Sequence, residues 1–160
     1  MQVLEHVSRA GEIMGTNITG WIEIREFNDR DDHWDGVIKI DEIVKGWKTW
    51  GILFGMSNIY DIESIANNRG IPEHASTEWR NDIDMYGTFD LPSYIYLEEI
   101  NAFDWKQQIT CTHIRGGIKN VELISLTDVL SDDWKLIFKF MNMLGDKYGT
   151  NNIRLVVGFY

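Results

Sequence analysis

The chain has 160 residues and a formal net charge of −10, from 25 acidic and 15 basic side chains. Apolar residues make up 44% of it, including seven tryptophans, which is enough to form the core of one domain and excludes wholesale disorder. The negative charge disfavours non-specific binding to nucleic acid or to anionic membranes, because their phosphates repel it.

The cysteine content and the N-terminus favour a cytoplasmic protein. Cys111 is the only cysteine, and a solitary thiol is typical of a reducing compartment. The start of the chain lacks the pattern of a signal peptide, and the longest apolar stretches are too short to span a bilayer. The segment 14–18, MGTNI, is typical of a protein start. We therefore interpret residues 1–13 as an N-terminal extension ahead of a natural start at Met14, with a short surface helix as the alternative, and residues 14–160 as one globular domain.

The first half of the domain predicts a hairpin, two helices and a long loop between them. Ile18–Phe27 alternates with period two, which predicts a strand, and Trp34–Ile40 is its partner. Val44–Met56 has the spacing of a helix, although three glycines weaken it. Ser57–His74 shows no periodicity, and Ser76–Met85 reads as a short acidic helix.

The second half begins with a strand at Ser93–Leu97 and a helical turn at Glu98–Phe103. Ile109–Ile114 and Lys119–Leu126 are predicted to form a hairpin, because Gly116-Gly117 between them is a strong turn signal.

The strongest helix prediction is Asp132–Tyr148, with Ser131 as its N-cap and Gly149 at its end. One apolar face recurs at spacings of three and four, formed by Trp134, Ile137, Phe138, Met141, Leu144 and Tyr148. The last strand, Ile153–Tyr160, is apolar on both sides, which predicts a central position. The fold class is α+β, with a mixed or mainly antiparallel sheet of about five strands and the long helix of the C-terminal half packed on one face.

The segment Asp31–Glu42 has the spacing of a calcium-binding EF-hand loop. The matching positions are Asp31, Asp35, Gly36 and Glu42. His33 stands where an oxygen ligand belongs, and Lys39 adds a positive charge, so the favoured interpretation is a hairpin turn. No metal site is predicted.

Other chemistry is weakly indicated. Cys111 and His113 alternate along one predicted strand, but side chains at that spacing run parallel, which favours a structural cysteine over a nucleophile pair. No catalytic residue is predicted. Trp21, Trp34 and Trp79 lie among polar neighbours and are expected to be partly exposed.

The loop Asn58–His74 is the predicted ligand-binding region, because long loops without secondary structure in compact domains are often functional. Arg69 is interpreted as a clamp for a phosphate or carboxylate. The structural alternative is that Arg69 binds carbonyls or pairs with an acid such as Glu73. The predicted ligand-binding residues are Asn58, Tyr60, Arg69, His74, Glu78, Asp90 and Ser93.

Five short motifs carry a family resemblance. They are MGTNI at 14–18, FGMSN at 54–58, RGIP at 69–72, SYIYLEEI at 93–100 and IRLVVGF at 153–159. In these motifs the chain resembles, over roughly residues 14–160, a family of proteins of unknown function carried by bacteriophages and prophages. That family often has a His-Ser pair shortly before the serine-led strand, where this chain has Asp90-Leu91. The resemblance implies a phage accessory protein expressed inside bacteria.

We expect such a protein to act by binding, and to blunt a host defence by sequestering a nucleotide-like signal or inhibiting a host protein. An enzyme acting on a phosphorylated or nucleotide substrate is the alternative, and it requires Asp90, Glu78 or His74 to converge with Arg69. An acidic mimic of nucleic acid is a second alternative. Neither a cofactor nor direct nucleic-acid or membrane binding is expected, and a homo-oligomer is compatible with the sequence.

Overall fold

A computed structural model describes residues 17–26, 32–56, 62–87 and 89–160 of the chain. The six strands of these residues are β1 (Ile18–Arg25), β2 (Trp34–Lys39), β3 (Asp90–Tyr96), β4 (Gln108–Arg115), β5 (Ile118–Ser125) and β6 (Ile153–Phe159). Their five α-helices are α1 (Lys48–Phe54), α2 (Thr77–Tyr86), α3 (Leu97–Ala102), α4 (Leu126–Val129) and α5 (Asp132–Tyr148), and a 3₁₀ turn covers Thr150–Asn152.

The strands form two antiparallel sheets. One has four strands in the order β2-β1-β6-β3, and the other is the two-stranded hairpin β4-β5. The α+β class is confirmed. The expectation of a single sheet of about five strands is only partly right, because β4 and β5 pair with each other and with no other described strand.

Strand β6 is central, as its apolar sequence predicted. It pairs with β1 on one side and with β3 on the other, and all seven of its residues are buried. A strand covered on both faces has no solvent side, which is why its sequence does not alternate.

The four-stranded sheet lies between two helical layers. Leu155 and Val157 of β6 point to the larger core, where the long helix α5 contributes Trp134, Ile137 and Met141. Helix α5 thus packs on one face of the four-stranded sheet, whereas the predicted sheet had about five strands. Val156 points to the other face, where Trp79 of α2 and Phe89 cover it.

Helix α5 matches the sequence prediction at both ends. The Ser131 hydroxyl accepts a hydrogen bond from the Trp134 backbone N–H at 3.4 Å, and Gly149 at φ 92° terminates the helix. Helix α1 is shorter than the predicted Val44–Met56. It begins at Lys48 because the preceding segment lies against α5, where the Gly46 carbonyl accepts from the Trp134 indole at 2.8 Å.

Two of the three tryptophans expected to be partly exposed are buried. Trp34 is 2% exposed and Trp79 0% exposed, so that prediction is wrong for both. The guanidinium of Arg154 lies 3.9 Å from the centre of the Trp34 ring. Trp79 stacks on Phe89 at 5.2 Å. Trp21 is partly exposed, as expected.

A buried ion pair joins β1 to β6 on the α2 side of the sheet. Arg154 donates from Nε to Glu23, and both side chains are almost completely buried. The second Glu23 oxygen accepts from the Ser76 N–H at 2.8 Å, and Arg154 donates to the carbonyls of Glu73 and His74 at 3.2 and 3.3 Å. The pair therefore fastens the segment 73–76 to the sheet.

The described part of the segment with EF-hand spacing contains a strand. Strand β2 covers Trp34–Lys39 and pairs with β1, in agreement with the hairpin interpretation. The Gly36 N–H donates to Glu78 Oε2 at 3.1 Å, and a side chain at Gly36 would collide with Glu78. Asp31 lies outside the described residues, as do residues 1–13 and Met14, so the proposed start site stays a prediction. No helix among the described residues is long and apolar enough to cross a membrane.

Candidate functional site

The predicted ligand-binding residues are distributed over several places in the fold. Asn58 and Tyr60 lie outside the described residues. Of the other five, the structure brings Arg69 and Ser93 together. The Arg69 backbone N–H donates to the Ser93 hydroxyl oxygen at 3.1 Å.

Arg69 forms a bidentate ion pair with Glu99 at the start of α3. Its two terminal nitrogens lie 2.7 and 2.8 Å from the two carboxylate oxygens. The same nitrogens donate to the carbonyls of Tyr94 and Ile65 at 3.2 and 2.8 Å. This is the arrangement of the structural alternative, with Glu99 as the acid in place of Glu73. An anionic ligand would have to displace Glu99 to reach these nitrogens.

The hydrogen bonds of this pair stabilise the charged forms of both Arg69 and Glu99. Hydrogen bonding to Glu99 raises the pKa of Arg69 despite partial burial. Burial works against ionisation of Glu99, but the hydrogen bonds from Arg69 and from the Tyr96 backbone outweigh it and hold the pKa of Glu99 below its ordinary value. The pair is consequently charged over the whole neutral pH range.

Arg69 and its neighbours cover the outer edge of β3. The Gly70 N–H donates to the Pro92 carbonyl at 2.8 Å, and the buried Ser93 hydroxyl donates to the Ala66 carbonyl. Unpaired strand edges invite pairing with other chains. The segment 65–70 therefore acts as a cover for one edge of the sheet.

The three remaining predicted residues are engaged elsewhere. His74 adopts a left-handed backbone conformation at φ 54°, and its carbonyl accepts from Arg154. Glu78 accepts from Gly36, and Asp90 is exposed at the first position of β3. The hydrogen bonds and ion pairs of the described residues join none of these three to Arg69.

An open cavity lies between the end of α2 and the start of β3. Its volume is about 360 Å³, and its lining residues are Ile71, Ile83, Asp84, Gly87, Phe89 and Pro92. We call it the α2–β3 groove. None of the five predicted site residues that the structure describes lines it. Its walls are apolar, and Asp84 is its charged lining residue.

Large hydrophobic side chains are also exposed near the groove in sequence. They are Ile71, which lines the groove, and Met85, Tyr86 and Leu91. Clusters of this kind on a monomer mark interaction sites more often than isolated exposed side chains do. The lining residue Phe89 is held by stacking on Trp79, and Tyr86 beside the groove in sequence stacks on Tyr160 at 5.7 Å.

Leu91 is held in a strained backbone conformation beside the groove. Its φ is 48°, a region that bulky side chains rarely adopt, and the pairing of β3 with β6 is irregular between Asp90 and Ser93. Such strain persists where the surroundings impose it and is frequent at binding sites. The sequence signal that could have located this region is that Ile71 and Leu91 are apolar residues directly before prolines.

A cluster of charged side chains lies on the same face of the sheet as the α2–β3 groove, and its members are paired with one another. The Lys39 ammonium lies 3.1 Å from Asp82 and 3.7 Å from Asp41. Asp82 also accepts from the Trp21 indole at 2.7 Å, and Asp41 accepts from the Thr19 hydroxyl at 2.8 Å. These groups satisfy one another, and the cluster presents no open position to a ligand.

Within the described ranges, no group of three or more His, Cys, Asp or Glu side chains is placed to hold a metal ion. No family model, no curated protein and no solved structure matches the chain.

Proposed function

We propose that the chain is a binding protein whose α2–β3 groove holds a segment of a partner protein, in which an apolar side chain is flanked by basic residues. The observation that carries this proposal is the composition of the groove, whose described lining consists of five uncharged residues and one carboxylate, Asp84. Its volume of about 360 Å³ is at the small end of ligand pockets, which suits an inserted side chain.

Charge supports a basic partner. The segment 73–90, which contains α2, has five acidic residues and one arginine, and both Asp84 and Asp90 are exposed. The whole chain carries −10. An acidic surface of this kind attracts a basic segment and speeds its encounter with the groove.

The same features favour a protein partner over a nucleotide. A nucleotide-like signal needs cationic donors for its phosphates. The described residues that line the groove include none, and Arg69 is engaged by Glu99. The resemblance to phage proteins supports a host protein as the partner and the inhibition of a host defence as the role.

The proposal is tested with two matched peptides, each carrying one central Leu or Phe, flanked by lysines in one and by glutamates in the other. Their affinities are measured by fluorescence anisotropy for the wild type and for Ile71→Glu and Asp84→Lys. We expect only the basic peptide to bind the wild type, increasingly weakly with salt. Each substitution should weaken that binding at least about tenfold.

Leu136→Glu is the control, because Leu136 is exposed on α5, in the other helical layer. It should bind the basic peptide as the wild type does. Equal binding of both peptides, or equal losses in all three variants, would contradict the proposal.

A further inference from the structure

The hairpin arm, Gln108–Ser125, is a two-stranded sheet with a large unburied part. Its base is anchored, since Ile109 and Cys111 pack with Ile52 and Val129 in a small core cluster. Beyond this base the arm carries four large aliphatic side chains that face solvent: Ile114, Ile118, Val121 and Leu123, which are 73%, 66%, 62% and 64% exposed. Isolated hairpins are marginally stable in water, and three or more strands are usually needed.

No described strand pairs with the outer edge of β5. Gly116 and Gly117, both at positive φ, form a two-residue turn, so Arg115 and Ile118 close the hairpin as a hydrogen-bonded pair. Antiparallel pairing then alternates, and the peptide groups of Lys119, Val121 and Leu123 point away from β4. In the described part of the chain these groups have no backbone hydrogen-bond partner.

The charge of the arm suits an identical molecule. The chain as a whole is strongly acidic, so two copies repel each other over most of their surface. The arm contains Arg115 and Lys119 against a single acid, Glu122. It is therefore a place where a second copy meets less repulsion from carboxylates than it meets elsewhere on the surface.

We propose that β5 pairs antiparallel with β5 of a second copy about a two-fold axis at Val121, which makes a four-stranded sheet in the order β4-β5-β5-β4. A two-fold contact must be self-complementary. On this axis Val121 faces Val121, a β-branched pair that is favourable in sheets. Lys119 lies opposite Leu123, and Asn120 lies opposite Glu122.

Alternative registers are worse. An axis at Glu122 sets two carboxylates face to face, which is destabilising. Axes at Asn120 or Leu123 shorten the paired segment. The Val121 register also places the exposed Ile118 of one copy opposite Ile124 of the other, and Ile124 already packs at the edge of the core cluster below the arm.

Strand β5 is favoured over β4 as the pairing edge. It carries three of the four exposed aliphatic residues of the arm, whereas β4 carries only Ile114. Pairing through β5 therefore shields more apolar surface from water, and burial of apolar surface drives association.

The first test is sedimentation velocity over a micromolar concentration series. We expect the wild type to move from monomer to dimer as its concentration rises. Val121→Arg, which places two like charges on the axis, should remain monomeric. Ile114→Arg makes the same charge change at a similarly exposed position on β4, and it should dimerise as the wild type does. A wild type that is monomeric throughout, or a Val121→Arg variant that still dimerises, overturns the proposal.

The second test fixes the register. Hydrogen-bonded antiparallel pairs have Cα atoms about 5.5 Å apart, which lies within the range that a disulfide spans. Val121→Cys should therefore form a covalent dimer on mild oxidation, seen on a non-reducing gel, while Ile114→Cys should not. Unchanged circular dichroism shows that both variants fold. If the Val121→Cys variant dimerises but forms no covalent dimer on oxidation, the axis at Val121 is excluded.

Discussion

At the scale of single residues, the structure gives Arg69 a definite task. Its guanidinium donates to both carboxylate oxygens of Glu99 and to two backbone carbonyls, and the Arg69 backbone N–H donates to the Ser93 hydroxyl. The arginine thus fastens the segment 65–70 along β3. The sequence around an arginine in a polar loop is the same whether the arginine binds an anionic ligand or pairs with a carboxylate of its own chain. Here the carboxylate is that of Glu99, 30 residues away.

Arg69→Ala should destabilise the fold by about 2 to 3 kcal/mol at neutral pH, since it removes charged hydrogen bonds and leaves Glu99 unpaired. The pKa of Glu99 is lowered in the folded protein. Its contribution is therefore present above its unfolded pKa of about 4.3 and is lost as the pH falls through the lower folded value. Urea unfolding from pH 7 to pH 3 should show the gap between wild type and variant closing under acid. Glu98 is an exposed neighbour, and the control Glu98→Gln should change the unfolding free energy little. A difference between wild type and Arg69→Ala that stays constant with pH would rule out Glu99 as the cause.

At the scale of elements, the buried pair Glu23–Arg154 ties β1 and β6 to the segment that leads into α2. Desolvation makes such a pair costly to assemble and more costly to break on one side. Its value is positional, because the Glu23 carboxylate also binds the Ser76 N–H just before α2 begins. The pair thereby sets where α2, and with it the groove, lies on the sheet.

Glu23→Leu and Arg154→Met should each lower the unfolding free energy by about 3 to 5 kcal/mol, because each leaves a buried group without its partner. The double variant Glu23→Leu/Arg154→Met should lose less than the sum of its single counterparts, since no buried charge remains. Urea denaturation of the full double-mutant cycle measures this coupling. Additive losses would mean that the two side chains do not depend on each other.

Element positions were the part of the fold most accessible to prediction. The long helix and its caps, the β4–β5 turn and the buried central strand follow from apolar period, capping side chains and a Gly-Gly pair, all of which act within a few residues. The grouping of strands into sheets was not accessible in this way. Nothing local in Gln108–Arg115 says that β4 pairs with β5 and with no other described strand.

At the scale of the whole molecule, the net charge of −10 affects the stability of the fold. Mutual repulsion of carboxylates disfavours the compact state, and salt screens it. The thermal midpoint should therefore rise by a few degrees between about 0.01 and 0.15 M NaCl. A sucrose series at constant salt separates screening from general solute effects. A falling midpoint would show that exposed ion pairs such as Lys135–Asp132 outweigh the repulsion.

The sequence by itself determined the α+β class, the helix α5 with its caps, the central position of β6 and the acidic balance, because each depends on composition or on neighbours along the chain. Only the tertiary structure decided that Arg69 meets Glu99, that Trp34 lies under Arg154 and that Ile71 and Phe89 share a groove. Each of these joins residues far apart in sequence. Their proximity is set by how helices and strands pack on one sheet, and this packing leaves no periodic trace in the chain.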